Sequence, residues 1–289
     1  MDLTKKDSRS LLEEVEQLAF EAGTKLLRYE KKIRNIRVNT KESLGVVSEA
    51  DESSEAFILK RLEKLNHHFG LEASFLAEEQ SYQERGSNGK EDQEQRGLQW
   101  IIDPLDGTNN FLAGLNYYAV CICLAEGKTP YLGVVYRPST GECFSALKNE
   151  GPWKRSFSNN EWGKRKRLTP SPTDQMSQAL FSTGFSTEKG EVFLQEFELF
   201  RQMMAKTRGI RRMGSAALDL CYVASGIFEG FWERGLSPWD TAAAGLICQE
   251  AGVKVSNYLG EPFHPFQSTI MATTPSLYSS TLQVMKNFH

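Results

Sequence analysis

Four histidines in 289 residues (His67, His68, His264 and His289) stand in no spacing that suits a zinc site or a Ser-His pair. That scarcity turns the reading away from zinc and from histidine-based nucleophilic catalysis. Neither G-x-x-x-x-G-K-[ST] nor a G-x-G-x-x-G after a strand occurs, so those two nucleotide cradles are excluded. No run approaches the roughly 20 apolar residues of a membrane-spanning helix. The charged N-terminus, "MDLTKKDSRSLLEEVEQLAFEAGTKLLRYEKK", lacks the continuous apolar stretch of a secretory signal. Five cysteines, an odd number, argue against a disulfide framework and for a reducing compartment, so the cytoplasm is expected. A net charge of −3 supplies no global basic field, and nucleic acid is not the expected main partner.

Present instead is the composition of an ordinary folded chain, 40% hydrophobic and 25% charged. Apolar residues from Leu11 to Leu27 recur at helical spacing and predict an amphipathic helix over about 8–29. A second helix is expected from about Ser53, after "IRVNTKESLGVVSEAD", which reads as a strand and loop ending in an acidic turn. Residues 81–97, "SYQERGSNGKEDQEQRG", read as a polar surface loop. From Tyr117 to Leu147, short apolar runs between Gly and Pro predict an antiparallel meander. The dense basic cluster "GKRKR" (163–167) reads as a solvated loop. Cys121, Cys123, Cys221 and Cys248 sit among apolar residues and read as core, while Cys143 is open. From about 175 onward strands and helices alternate, which predicts a layered mixed α/β (α+β) arrangement. With no repeat, low-complexity tract or linker, one unit over 1–289 is expected, with lobes at about 1–155 and 175–289.

The chemistry rests on acids at element ends: Asp51, Glu78, Asp103, Asp106 and Asp240. Gln99 to Ile102 reads as a buried strand that Pro104 stops, and Asp103 and Asp106 sit in the turn beyond it. Glu78 and Glu79 follow the strand-like Phe75–Ala77. Carboxylates gathered at one point repel one another unless cations neutralise them, and hard oxygen ligands suit Mg²⁺. Each acid has a plainer reading too. Asp103 and Asp106 fit turn formation, and Asp51 fits a helix cap at Ser53. For Asp240 the plainer reading is the third helical position after a Ser237 cap and Pro238.

Five segments together carry a resemblance. "WIIDPLDGTNNF" and "PWDTAAAGLICQEAG" look like the two signatures of the inositol monophosphatase family. "VVSEADESSE", "LAEEQS" and "RRMGSAALDLCYVASG" resemble its acidic turn, paired glutamates and substrate segment. The resemblance implies a layered αβαβα sandwich of the sugar-phosphatase type, a likeness to lithium-sensitive enzymes, and a homodimer. Glu78, Asp103, the Leu105 carbonyl, Asp106 and Asp240 would ligate two or three Mg²⁺. Asp51 and Thr108 would orient the attacking water, with Glu78 sharing it. Gly107 and Thr108 would offer amides to phosphate. Gly214, Ser215, Ala216 and Glu233 would face the alcohol part of the substrate, and Lys41 matches a basic position near the metals. The implied reaction is hydrolysis of a phosphate monoester by water without a covalent intermediate. Substrates in view are an inositol monophosphate foremost, and otherwise fructose 1,6-bisphosphate or a 3′(2′),5′-bisphosphate nucleotide. Ala77, Ser48 and Gly45 depart from the family's usual Gly, Thr and acid, and the loop 81–97 is longer than in compact members, as for a lid or a partner surface. A haloacid-dehalogenase-type phosphatase shares "DGT" but needs its nucleophile two residues before the second Asp, and here the spacing is three. A non-catalytic regulator retaining the fold is the alternative of another class.

Overall fold

The computed structural model describes residues 4–33, 36–40, 46–85, 97–185 and 190–288. Helix α1 (Lys5–Glu30) buries the predicted apolar face and starts at Thr4, whose hydroxyl oxygen accepts from the Asp7 amide. A hairpin of β1 (Val38–Thr40) and β2 (Val46–Ser48) feeds α2 (Glu49–Phe69). This helix begins earlier than the expected Ser53, because Ser48 caps it and Asp51 closes a capping box from the third position. The expected acidic turn is therefore helical.

Strand β3 (Ala73–Ala77) runs parallel to its neighbour across the sheet, and α3 (Glu78–Arg85) follows it directly. The polar stretch 81–97 is thus not all loop, since its first residues continue this helix; 86–96 lie outside the described residues. Strand β4 (Leu98–Asp106) outruns the predicted stop at Pro104, with a register shift against the next strand between Asp103 and Asp106. A proline at an irregularity gives up no regular ladder bond, and the bulge re-aims the side chains around it.

After α4 (Thr108–Leu112), the chain forms the predicted meander: β5 (Ala119–Glu126), β6 (Thr129–Arg137), β7 (Glu142–Leu147) and β8 (Gly151–Ser158). Two short strands, β9 (Glu161–Trp162) and β10 (Lys166–Arg167), pair with β8. The basic cluster is consequently not a free loop. Arg165 reaches Glu13 and the fully buried Glu16, which also pairs with Arg155. A buried carboxylate needs such partners.

The second half supplies β11 (Leu180–Thr183), α5 (Glu191–Lys206), β12 (Gly209–Arg211), α6 (Ala216–Ala224), β13 (Gly230–Arg234), α7 (Pro238–Ala251), β14 (Lys254–Ser256), β15 (Thr269–Thr273) and α8 (Tyr278–Met285). The large sheet has the order β10-β8-β7-β6-β5-β4-β3, and the smaller one β12-β11-β13-β15-β14. Residues of α1 and α2 pack on one face of the large sheet. Its other face shares a core with α6, α7 and the inner face of the small sheet. Residues of α5 and α8 cover the outer face of that second sheet. The expected αβαβα sandwich results, and all five cysteines, Cys143 included, are free and buried within it.

Small residues make the middle layer thin. Helix α7 presents Ala242, Ala243, Ala244 and Gly245 between the sheets. A Cβ on Gly133 of β6 would lie 2.7 Å from the Ala243 carbonyl oxygen, and one on Gly245 would lie 2.3 Å from the Phe263 ring. Both distances are below any ordinary contact, so backbone and ring approach only because side chains are missing there.

Candidate active site

Five helices start at one end of the layers, and each brings its first turn to the site. On α2, the Asp51 carboxylate is divided: Oδ2 accepts from the Ser48 amide and hydroxyl, and Oδ1 accepts from the Thr108 hydroxyl at 2.9 Å. One turn on, the Ser54 hydroxyl donates to the Pro104 carbonyl, tying α2 to the end of β4. Serine at position 48 therefore completes the cap that threonine would.

Glu78 is the first residue of α3, whose N-terminus rests on Glu55: Oε2 accepts from the Glu79 amide at 2.8 Å and Oε1 from the Gln80 amide at 2.9 Å. A carboxylate on the free amides of a helix start is favoured by both hydrogen bonding and the helix dipole. Glu55 was missed in the sequence. Its only signal is the spacing from Asp51, one helical turn on the same face.

At the bulge, the Leu105 amide donates to Asp103 and the Leu105 carbonyl accepts from Thr108. Gly107 caps α4 with φ 90, and a Cβ there would press on the Tyr117 and Gly214 carbonyl oxygens at 3.1 and 3.2 Å. Only glycine takes both that conformation and that crowding.

From α6, the Ser215 hydroxyl and the Ala217 amide donate to Asp106 Oδ2. From α7, Asp240 takes the cap position and also stands among the acids. Its Oδ2 accepts from the Ser237 amide in a capping box behind Pro238. It also joins Asp103 and Asp106 in a group whose carboxylate oxygens lie within 4.8 Å of one another.

Burial and mutual repulsion act on every acid of this group. Asp106 and Asp51 are pushed up to about 6, in each case foremost by desolvation. Asp103 and Asp240 are driven well above the usual carboxylate range by burial, then by neighbouring charges that include Glu78. Buried acids this closely set form a donor set that fits a hard divalent ion, since such an ion offsets both desolvation and repulsion.

Beside the acids, Glu233 of β13 lies against Gly184, where a Cβ would stand 2.0 Å from its Oε1. Burial and the charges of Asp240 and Asp219 raise its carboxyl. Gly214, with φ 85, and the buried Ser215 and Ala216 form the turn into α6 next to Asp106. All the sequence-derived site residues fall at this end of the fold except Lys41, which lies outside the described residues.

A layered α/β protein that gathers acidic groups from a strand end and helix starts around a metal-fitting centre defines a class of metal-dependent protein. The sequence model of the inositol monophosphatase family matches residues 7–287, and the chain belongs to that family. It is 37% identical over 244 residues to the "Inositol-1-monophosphatase" of Rhizobium meliloti (strain 1021), covering 84% of each chain. It is 34% identical to "Nus factor SuhB" of Pseudomonas aeruginosa, covering 83% of this chain and 82% of that protein. Among solved structures, the "extragenic suppressor protein suhB" of Bartonella henselae superposes with a TM-score of 0.80 at 31% identity, over 96% of this chain and 98% of that one. Among the described residues, no helix is long and apolar enough to cross a membrane.

Proposed function

We propose that the chain is a Mg²⁺-dependent phosphate monoester hydrolase acting on inositol 1-phosphate or a closely similar polyol phosphate. The observation that carries this is the approach of Asp103, Asp106 and Asp240 to within 4.8 Å of one another beside Glu78, with Asp51 and Thr108 hydrogen-bonded at their edge. Glu78, Asp103, the Leu105 carbonyl, Asp106 and Asp240 hold two or three Mg²⁺. When bound, these ions neutralise the acids and polarise both phosphate and water.

The chain's own groups do the rest. The one Thr108 hydroxyl hydrogen is shared between Asp51 and the Leu105 carbonyl, which leaves the oxygen lone pairs to accept a hydrogen bond from the attacking water. Asp51, hydrogen-bonded to Thr108, is placed to take up the proton that the water gives up. Glu78 shares the orientation of that water. Amides of Gly107 and Thr108 receive phosphate oxygens. Gly214, Ser215, Ala216 and Glu233 line the place of the alcohol, Glu233 accepting from its hydroxyls. By the family resemblance alone, Lys41 would supply a cation near the metals.

The accompanying reading is of one folded unit, homodimeric and cytoplasmic; the five free cysteines fit a reducing compartment. The names of similar proteins divide between an inositol phosphatase and a Nus factor. The complete acidic set supports catalysis, and a partner role is compatible with it.

A phosphate-release panel tests the proposal. Inositol 1-phosphate should exceed fructose 1,6-bisphosphate and a 3′,5′-bisphosphonucleotide in kcat/KM, and excess chelator should abolish turnover. Lithium, by the family resemblance, should inhibit. Full turnover in chelator would overturn the metal assignment, and a preference for the nucleotide would replace the substrate.

A further inference from the structure

Two asparagines follow the metal turn, and they differ in their surroundings. Asn109 is exposed. Asn110 reaches across the junction between the two lobes, and its amide nitrogen faces three carbonyl oxygens: Tyr117 at 2.8 Å, Met213 at 2.8 Å and Gly214 at 3.3 Å. A primary amide nitrogen has two protons, so the two short contacts take one each and the third shares. The last two acceptors lie on the turn whose next residues, Ser215 and Ala217, donate to Asp106.

The crowding is specific to this arrangement. Gly214 has φ 85, and a Cβ on it would meet the Asn110 amide group at 3.1 Å. The Gly214 carbonyl in turn stands 3.2 Å from where a Gly107 Cβ would be. Asn110 is thus wedged between the helix that begins at Thr108 and the turn that begins α6. Tyr117 ties the same junction a second time through its hydroxyl, which donates to Asp219 of α6 at 2.7 Å.

We propose that Asn110 is a positioning residue, an amide clip that sets the turn Met213–Ala216 against the metal turn and thereby places the alcohol part of the substrate relative to the reacting phosphate. The catalytic consequence rests on the phosphatase reading above; the mechanical one does not. What matters is the donor, not the volume, because all three groups it faces are acceptors.

Two variants, one isosteric and one smaller, separate these. Asn110→Asp presents only oxygens to three carbonyl oxygens, whereas Asn110→Ala merely withdraws the donors. A donor role therefore predicts that Asp is the worse substitution, although it is the closer isostere. Expected is a rise in KM for inositol 1-phosphate of roughly tenfold in Asn110→Ala, the scale of leaving part-buried carbonyl groups without a donor, and a larger rise in Asn110→Asp. The Mg²⁺ concentration at half-saturation should stay within about twofold, because every proposed metal ligand remains. Asn109→Ala serves as the neighbouring control.

Amide hydrogen exchange supplies a readout that needs no turnover. Residues 213–218 should exchange at least about tenfold faster in Asn110→Asp than in the parent, while α1 and the meander are unchanged. A parent without phosphatase activity but with this exchange pattern would overturn the functional reading and leave the clip standing. Asn110→Asp matching the parent in KM and exchange, or proving milder than Asn110→Ala, would overturn the clip.

Discussion

At Asp240 a single carboxylate serves helix and site together, one oxygen on the Ser237 amide and the group as a whole among the acids. Either role explains an aspartate there, so sequence alone offered two readings and the fold unites them. Asp51 repeats the pattern on α2. Substitution separates the two roles. Asp240→Asn keeps the cap's shape and should cost at most about 1 kcal/mol in thermal or urea unfolding, yet lower kcat by orders of magnitude. Unchanged turnover would leave Asp240 a cap only. Thr108→Ala should lower turnover by roughly 10²–10⁴-fold, while Thr108→Ser retains much of the rate. Parent-like hydrolysis by the alanine variant would remove Thr108 from the water's orientation.

Helices and strands were the legible part of the chain, and their ends were not. The α1 face, the meander and the alternation after 175 follow from periodicity, which side-chain burial enforces along a whole element. Element ends depend on a few hydrogen bonds, often to residues distant in sequence. Strand β4 runs through Pro104 because a bulge accommodates it, and α2 starts at Glu49 because of its capping box. The start of α3 depends on Glu55, which no local pattern marks as a cap. Glu55→Gln replaces an acceptor of two amides with one acceptor and one donor, so the first turn of α3 should loosen and Glu78 with it. The expected outcome is a several-fold rise in the Mg²⁺ requirement with a smaller change in kcat at saturation, on the scale of about 1–3 kcal/mol for an unsatisfied buried group. A metal titration that overlays the parent's would show that α3 holds Glu78 without help. The resemblance named most of the candidate site residues in advance; Asn110 and Glu55 needed the fold, because both act on backbone groups of other elements.

For the whole molecule, the raised carboxyls set a pH dependence. Asp51 and Asp106 hold their protons up to about 6 in the folded chain, above the roughly 4 of an unfolded one. Between those values the folded state binds more protons, so these groups make stability fall as pH rises from about 4 through 6. Asp103, Asp240 and Glu233 act in the same direction. Bound Mg²⁺ competes with the same protons. The rise in melting temperature on adding Mg²⁺ should therefore be larger at pH 7.5 than at pH 5, measured by calorimetry in matched buffers. An equal rise at both would mean that the ion does not bind these carboxyls.

The small-residue stripe of α7 gives the protein's core an unexpected part in its chemistry. Because Asp240 rides on a helix held between two sheets by contacts too close for even one more methyl group, the span across the acidic cluster is a thickness, determined by alanines and glycines a turn or more away. That thickness works like the spacer in a capacitor: a change of a few tenths of an ångström in the gap alters the field at the ion while both plates stay intact. On the proposed metal reading, a larger residue at Ala243, Gly245 or Gly133 should shift the concentration of Mg²⁺ the protein needs without touching a ligand.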